Sequence, residues 1–72
     1  MKKIKKIKIK LNGKFKYVTE NYKISDLLND LKIPLKKVAI ELNEEIIDKK
    51  KINITTLKKY DKMEIVHFIG GG

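Results

Sequence analysis

The 72-residue chain contains no cysteine, no tryptophan and no arginine, and only one proline and one histidine. Without cysteine there is no disulfide framework, no zinc-thiolate site and no nucleophilic thiol. A single histidine, His67, rules out a histidine-rich metal cluster, and with no second catalytic residue near it in sequence it reads as structural. No apolar run approaches the ~20 residues that span a bilayer. The start, Met1-Lys2-Lys3-Ile4-Lys5-Lys6, is positive like an export signal, but lysines interrupt the apolar residues that would form its hydrophobic part. The expected setting is soluble and cytoplasmic, without a membrane. A chain this short buries only about 60% of its unfolded surface, which leaves one modest core and no room for an internal active site. Catalytic residues and metal ligands of its own are therefore not expected.

What is abundant is lysine. All eighteen basic residues are lysine, against nine acidic ones, for a formal net charge of +9. Such an excess suggests nucleic acid or an anionic surface. Arginine, the preferred residue for bidentate contacts to guanine and phosphate, is missing, and this weighs against that reading. Isoleucine is also frequent, so a compositional bias that leaves lysines as a solvated surface is favoured. A small basic nucleic-acid-binding module, carried by the first strand and Lys49-Lys50-Lys51, stands as the alternative from another class.

Strict alternation over Lys6 to Leu11 places Ile7, Ile9 and Leu11 on one face and predicts a strand. Asn12-Gly13 is a hairpin signal because both residues tolerate positive φ. A returning strand over Lys14 to Thr19 carries Phe15 and Tyr17 on one face. Ile24, Leu27, Leu28 and Leu31 then form the stripe of an amphipathic helix, ended by Pro34. Asp26 and Asp30 lie one turn apart on its polar side, and a solvated face is a better account of them than a carboxylate pair. Val38 to Leu42 alternates as a third strand, Asn43-Glu44 turns, and Glu45 to Ile47 forms a short fourth. Asp48 to Lys59 is irregular, with one helical turn anchored by Ile52, Ile54 and Leu57. A last strand begins near Met63. The predicted class is α+β, a ubiquitin-like β-grasp with a mixed four- to five-stranded sheet and one main helix on one face. Residues 1–69 form one domain, and 70–72 a flexible glycine tail.

In the last strand Met63 and Ile65 should face the core with His67 at the margin, because charged Glu64 marks the other face as solvent. Val66 and Phe68 are then exposed apolar residues beside the tail, candidates for partner docking; the alternative is that the irregular segment covers them. Gly70, Gly71 and Gly72 follow. Three residues reach about 10 Å, and without Cβ atoms they fit a narrow channel. The alternative is an unstructured end. The carboxyl group of Gly72 is ionised at neutral pH. Attack on the α-phosphate of ATP would make it an acyl-adenylate open to a sulfur or nitrogen nucleophile. This chemistry needs catalytic residues and magnesium, so it belongs in a partner's active site.

The stretches Val38-Ala39-Ile40-Glu41-Leu42-Asn43, Thr55-Thr56-Leu57 and Glu64-Ile65-Val66-His67-Phe68-Ile69-Gly70-Gly71-Gly72 resemble the ThiS family, the sulfur carriers of thiamine biosynthesis. The Asn12-Gly13 hairpin and the Asp26-Leu27-Leu28 segment are similar too. The resemblance implies a carrier rather than an enzyme, monomeric when free and binding no cofactor itself. It implies an E1-like (ThiF-like) adenylyltransferase that uses ATP and magnesium on Gly72, and a cysteine desulfurase or another sulfur donor. Thiazole synthase (ThiG-like) would accept the sulfur from the resulting thiocarboxylate, with Gly70 and Gly71 threading the partners' channels. A carrier for molybdopterin or a ubiquitin-like modifier is the nearer alternative. Glu44 and Tyr60 stand where the family usually has glycine. Side chains at positive φ carry a steric cost there, which leaves the type of those two turns open.

Overall fold

The computed structural model describes residues 4–68. Among them five strands form one mixed sheet: β1 (Lys6–Leu11), β2 (Lys14–Thr19), β3 (Val38–Leu42), β4 (Glu45–Ile46) and β5 (Lys62–His67), in the order β2-β1-β5-β3-β4. One helix, α1 (Ile24–Asp30), packs its buried Ile24, Leu27 and Leu28 into the core that covers one face of this sheet. This is the β-grasp arrangement, with the fifth strand present.

The β1–β2 hairpin has the register Lys6↔Thr19 to Leu11↔Lys14. Asn12 and Gly13 close it at φ 49 and φ 83, both positive as a type I′ turn requires. Period-two alternation buries Ile9 and Val18 against the core, with Ile7 and Leu11 partly buried beside them. Phe15 and Tyr17 therefore turn outward, opposite Lys10 and Lys8. The Lys8 ammonium lies 4.0 Å from the centroid of the Phe15 ring, a cation–π contact that keeps this exposed aromatic partly covered.

Both aspartates of α1 have structural work. The Asp26 carboxylate accepts the Lys23 backbone N–H at 2.9 Å, the reciprocal half of a capping box. Asp30 accepts from the Tyr22 hydroxyl. The helix is shorter than its sequence stripe suggests. Leu31 caps it at 39% exposure rather than joining the core, and the stop is not Pro34. Lys32 takes φ 55, its N–H bonds to the Asn29 carbonyl, and the Ile33 N–H bonds to that of Leu28. That pair of bonds is a Schellman motif, with lysine where glycine would be unstrained.

The segment after β4 is irregular, as its pattern implies, and has a definite use. The Asp48 carboxylate accepts the Lys50 N–H at 2.9 Å and opens a 3-10 turn, Lys49–Lys51. The chain then passes the start of α1, where the Thr55 and Ile52 carbonyls take up the N–H groups of Ile24 and Ser25 at 3.1 Å each. Those are first-turn donors with no partner inside the helix. Ile52 and Leu57 are buried as anchors, but Ile54 is 75% exposed and anchors nothing. Ile47, expected in the fourth strand, lies just past its end, although its N–H still bonds to the Ile40 carbonyl at 2.9 Å.

The two positions that depart from the family's glycines keep a left-handed backbone. Glu44 has φ 71 and Tyr60 φ 69. In the β3–β4 turn Asn43 and Glu44 are both at positive φ, as in the first hairpin. Both positions therefore carry the steric cost of a side chain at positive φ.

Candidate functional site at the end of the central strand

β5 is the middle strand of the sheet. It runs parallel to β1, with Lys10↔Lys62 and Leu11↔Met63 in register, and antiparallel to β3 from Leu42↔Met63 to Val38↔His67. Alternation does the rest. Met63 and Ile65 are buried in the core, while Glu64 and Val66 face the side opposite the helix across from Glu41 and Ala39. His67 pairs with Val38 at the core-side margin and is exposed.

Two asparagines clamp the start of this strand. At the first hairpin, the Asn12 N–H donates to the Met63 carbonyl at 2.9 Å, and its side-chain oxygen accepts the Ile65 N–H at 2.7 Å. The backbone has already turned away at Asn12, so the side-chain amide replaces the carbonyl of a further β1 residue. On the other flank, the Asn43 N–H donates to the Lys62 carbonyl at 2.7 Å and its side-chain oxygen accepts the Lys62 N–H at 2.9 Å. The Asn43 amide nitrogen then donates to Asp61 at 3.0 Å, and the other oxygen of that carboxylate accepts the Lys58 N–H at 2.7 Å. Sequence reasoning identified both asparagines as turn formers and missed that they hold β5. The pattern Asn-Gly or Asn-Glu reports a local turn, whereas these partners lie 53 and 19 positions away.

Beyond the clamps, Val66 is 50% and Phe68 45% exposed. The irregular segment does not bury them, because it packs along the start of α1 on the other side of the sheet. Lys49 reaches over, its ammonium 5.3 Å from the Phe68 ring centroid. The Phe68 N–H bonds to the Lys37 carbonyl at 2.9 Å, which carries β3-side pairing one residue past β5. The structure thus brings Val66 and Phe68 to the point where the chain leaves the sheet. Gly70, Gly71 and Gly72, the candidate tail, lie outside the described residues.

The remaining surface offers less chemistry. A shallow cleft bordered by Ile7, Glu20, Asn21 and Leu57 lies at the opposite end of β1 from the Asn12 clamp. Among the described residues no three His, Cys, Asp or Glu side chains come together as metal ligands, and no helix is long and apolar enough to cross a membrane.

Comparison with known proteins gives one consistent answer. The ThiS family model matches residues 9–72. The sulfur carrier protein ThiS of Bacillus subtilis is 42% identical over 65 residues, a match that covers 89% of this chain and 98% of that protein. A thiazole synthase of Paramagnetospirillum magneticum is 36% identical over 66 residues, covering 92% of this chain but 20% of the synthase. Among solved structures, the crystal structure of the thiamine biosynthesis protein ThiS from Geobacter metallireducens superposes with a TM-score of 0.80 at 33% identity. That match covers 92% of this chain and all of the other.

Proposed function

The chain belongs to the ThiS family, and from that premise we propose that it is a sulfur carrier for thiamine biosynthesis whose reactive group is the Gly72 carboxylate. The main support is that the family match runs through residues 9–72 and so includes the terminal glycines. A second support is local: the central strand is clamped from both flanks and ends at His67, three positions before Gly70 in the sequence.

The cycle has two stages. A Gly72 carboxylate oxygen attacks the α-phosphorus of ATP in an E1-like partner with magnesium; the O–P bond forms and pyrophosphate leaves. The resulting acyl-adenylate is attacked at its acyl carbon by the terminal sulfur of a persulfide, formed from cysteine by a desulfurase. A C–S bond forms and AMP departs. A thiol then cleaves the remaining S–S bond, supplying two electrons, and leaves a thiocarboxylate on Gly72. Thiazole synthase takes the sulfur from there. That a segment similar to nearly the whole of this chain occurs inside thiazole synthase chains supports that enzyme as the acceptor. The carrier itself supplies no catalytic group; Gly70 and Gly71 thread the partners' channels, and Val66 and Phe68 dock.

Intact-mass measurement after incubation with an adenylating partner, ATP and a sulfur donor tests the reading. One oxygen replaced by one sulfur, located at Gly72, is expected. No such change with a partner of verified activity overturns it. In the same assay Val66→Asp and Phe68→Ala are expected to slow modification while leaving the fold intact.

A further inference from the structure

β5 is paired on both sides at its start and on one side only at its end. We infer that the vacant side, from Ile65 to His67, is a strand-addition site that an extended segment of the thiazole synthase partner fills when the carrier docks. The inference rests on the proposed function for the partner's identity, and on the ladder for everything else.

The ladder defines which groups are free. Across β3 and β5 the bonded positions are set by the Asn43 N–H to the Lys62 carbonyl and the Phe68 N–H to the Lys37 carbonyl. Even-numbered residues of β5 therefore turn their backbone groups toward β3, and Met63, Ile65 and His67 turn theirs toward β1. On that flank, β1 ends at Leu11. The Asn12 N–H takes the Met63 carbonyl and the Asn12 side chain takes the Ile65 N–H. Among the described residues, no hydrogen bond takes up the Ile65 carbonyl, the His67 N–H or the His67 carbonyl. Three backbone groups thus line an open edge at the exit of the strand.

At the hairpin whose Asn12 meets Ile65, a β-carbon placed on Gly13 would meet no atom within 4 Å. The flanking side chains suit a docking partner, since Val66 lies half exposed beside the edge and Phe68 follows it. An unpaired edge recruits extended chain by main-chain hydrogen bonding while neighbouring side chains set specificity. This one is too short to template aggregation. A partner strand laid along it would sit beside the segment leading to Gly70, Gly71 and Gly72 and aim the tail.

The main-chain character of the contact makes it separable from side-chain docking. His67→Pro removes the free N–H and no intramolecular bond, and proline is tolerated where a strand N–H faces solvent. His67→Ala keeps the N–H. Affinity for thiazole synthase is expected to fall about tenfold or more in His67→Pro and to stay near wild type in His67→Ala. In the wild-type protein the His67 amide should exchange fast when free and slowly in the complex, a readout that does not depend on the proline variant folding. Unchanged His67 exchange in the complex, or a folded His67→Pro that binds like wild type, overturns the inference. If the wild type is thiocarboxylated at Gly72 and delivers sulfur while His67 stays unprotected, only the edge site fails. If it is not thiocarboxylated at all, the carrier reading fails first.

Discussion

The two halves of β5 are built differently. From Lys62 to Ile65 the strand has neighbours on both flanks, two side-chain clamps from Asn12 and Asn43, and Met63 and Ile65 buried in the core. From Val66 onward it keeps only its β3 flank, and exposed Val66, His67 and, just past the strand, Phe68 follow one another. The first half spends its groups on the fold. The second leaves backbone and side-chain groups free at the point from which the glycines depart. A strand can do both because its anchoring bonds are local, so one half stays rigid while the other remains available.

Breaking the anchored half should cost most. Met63 is fully buried at the centre of the sheet, and Met63→Ala is expected to destabilise by about 3 kcal/mol. For a domain of this size, whose total is on the order of 4–11 kcal/mol, urea unfolding should show a clearly lowered midpoint. A loss under about 0.5 kcal/mol would mean that the anchored half is not where the stability lies.

The clamp comes next. Asn12→Gly keeps the positive φ but leaves the half-buried Ile65 N–H without a partner, at a cost of roughly 1–3 kcal/mol. Asn12→Asp keeps an acceptor in place and should lose little. Equal effects in the two variants would show that the turn, rather than the 2.7 Å bond, is what matters.

The smallest effect has the opposite sign. Tyr60 carries an exposed side chain at φ 69, and Tyr60→Gly should relieve left-handed strain against the greater freedom glycine has when unfolded. The net gain expected is on the order of 0.5–1 kcal/mol, read as a raised midpoint. Because the change lies ahead of β5, sulfur loading at Gly72 should be unaltered. A loading defect would show that the strain at Tyr60 helps position the working half.

Much of this was legible in the linear pattern. Alternation at Ile7, Ile9 and Leu11, the Asn12-Gly13 turn, and the split of β5 into Met63 and Ile65 against Val66 and Phe68 all follow from period two and from turn chemistry. The errors fell where a local hydrogen-bonded turn overrode the apolar pattern. Leu31 continues the apolar stripe, yet the Schellman bonds at Lys32 and Ile33 end α1 first. Ile54 sits between two anchors, yet the 3-10 turn before it leaves it facing water.

The sequence by itself determined the element types, the core face of each strand and the apolar pair that precedes the glycines, because these depend on periodicities within a few residues. Only the tertiary structure decided that two turn asparagines reach across to hold the central strand and that β1 stops short of β5's end. Those facts depend on where distant segments halt relative to one another. That register places three unpaired backbone groups beside Val66 and Phe68, and no local pattern encodes it.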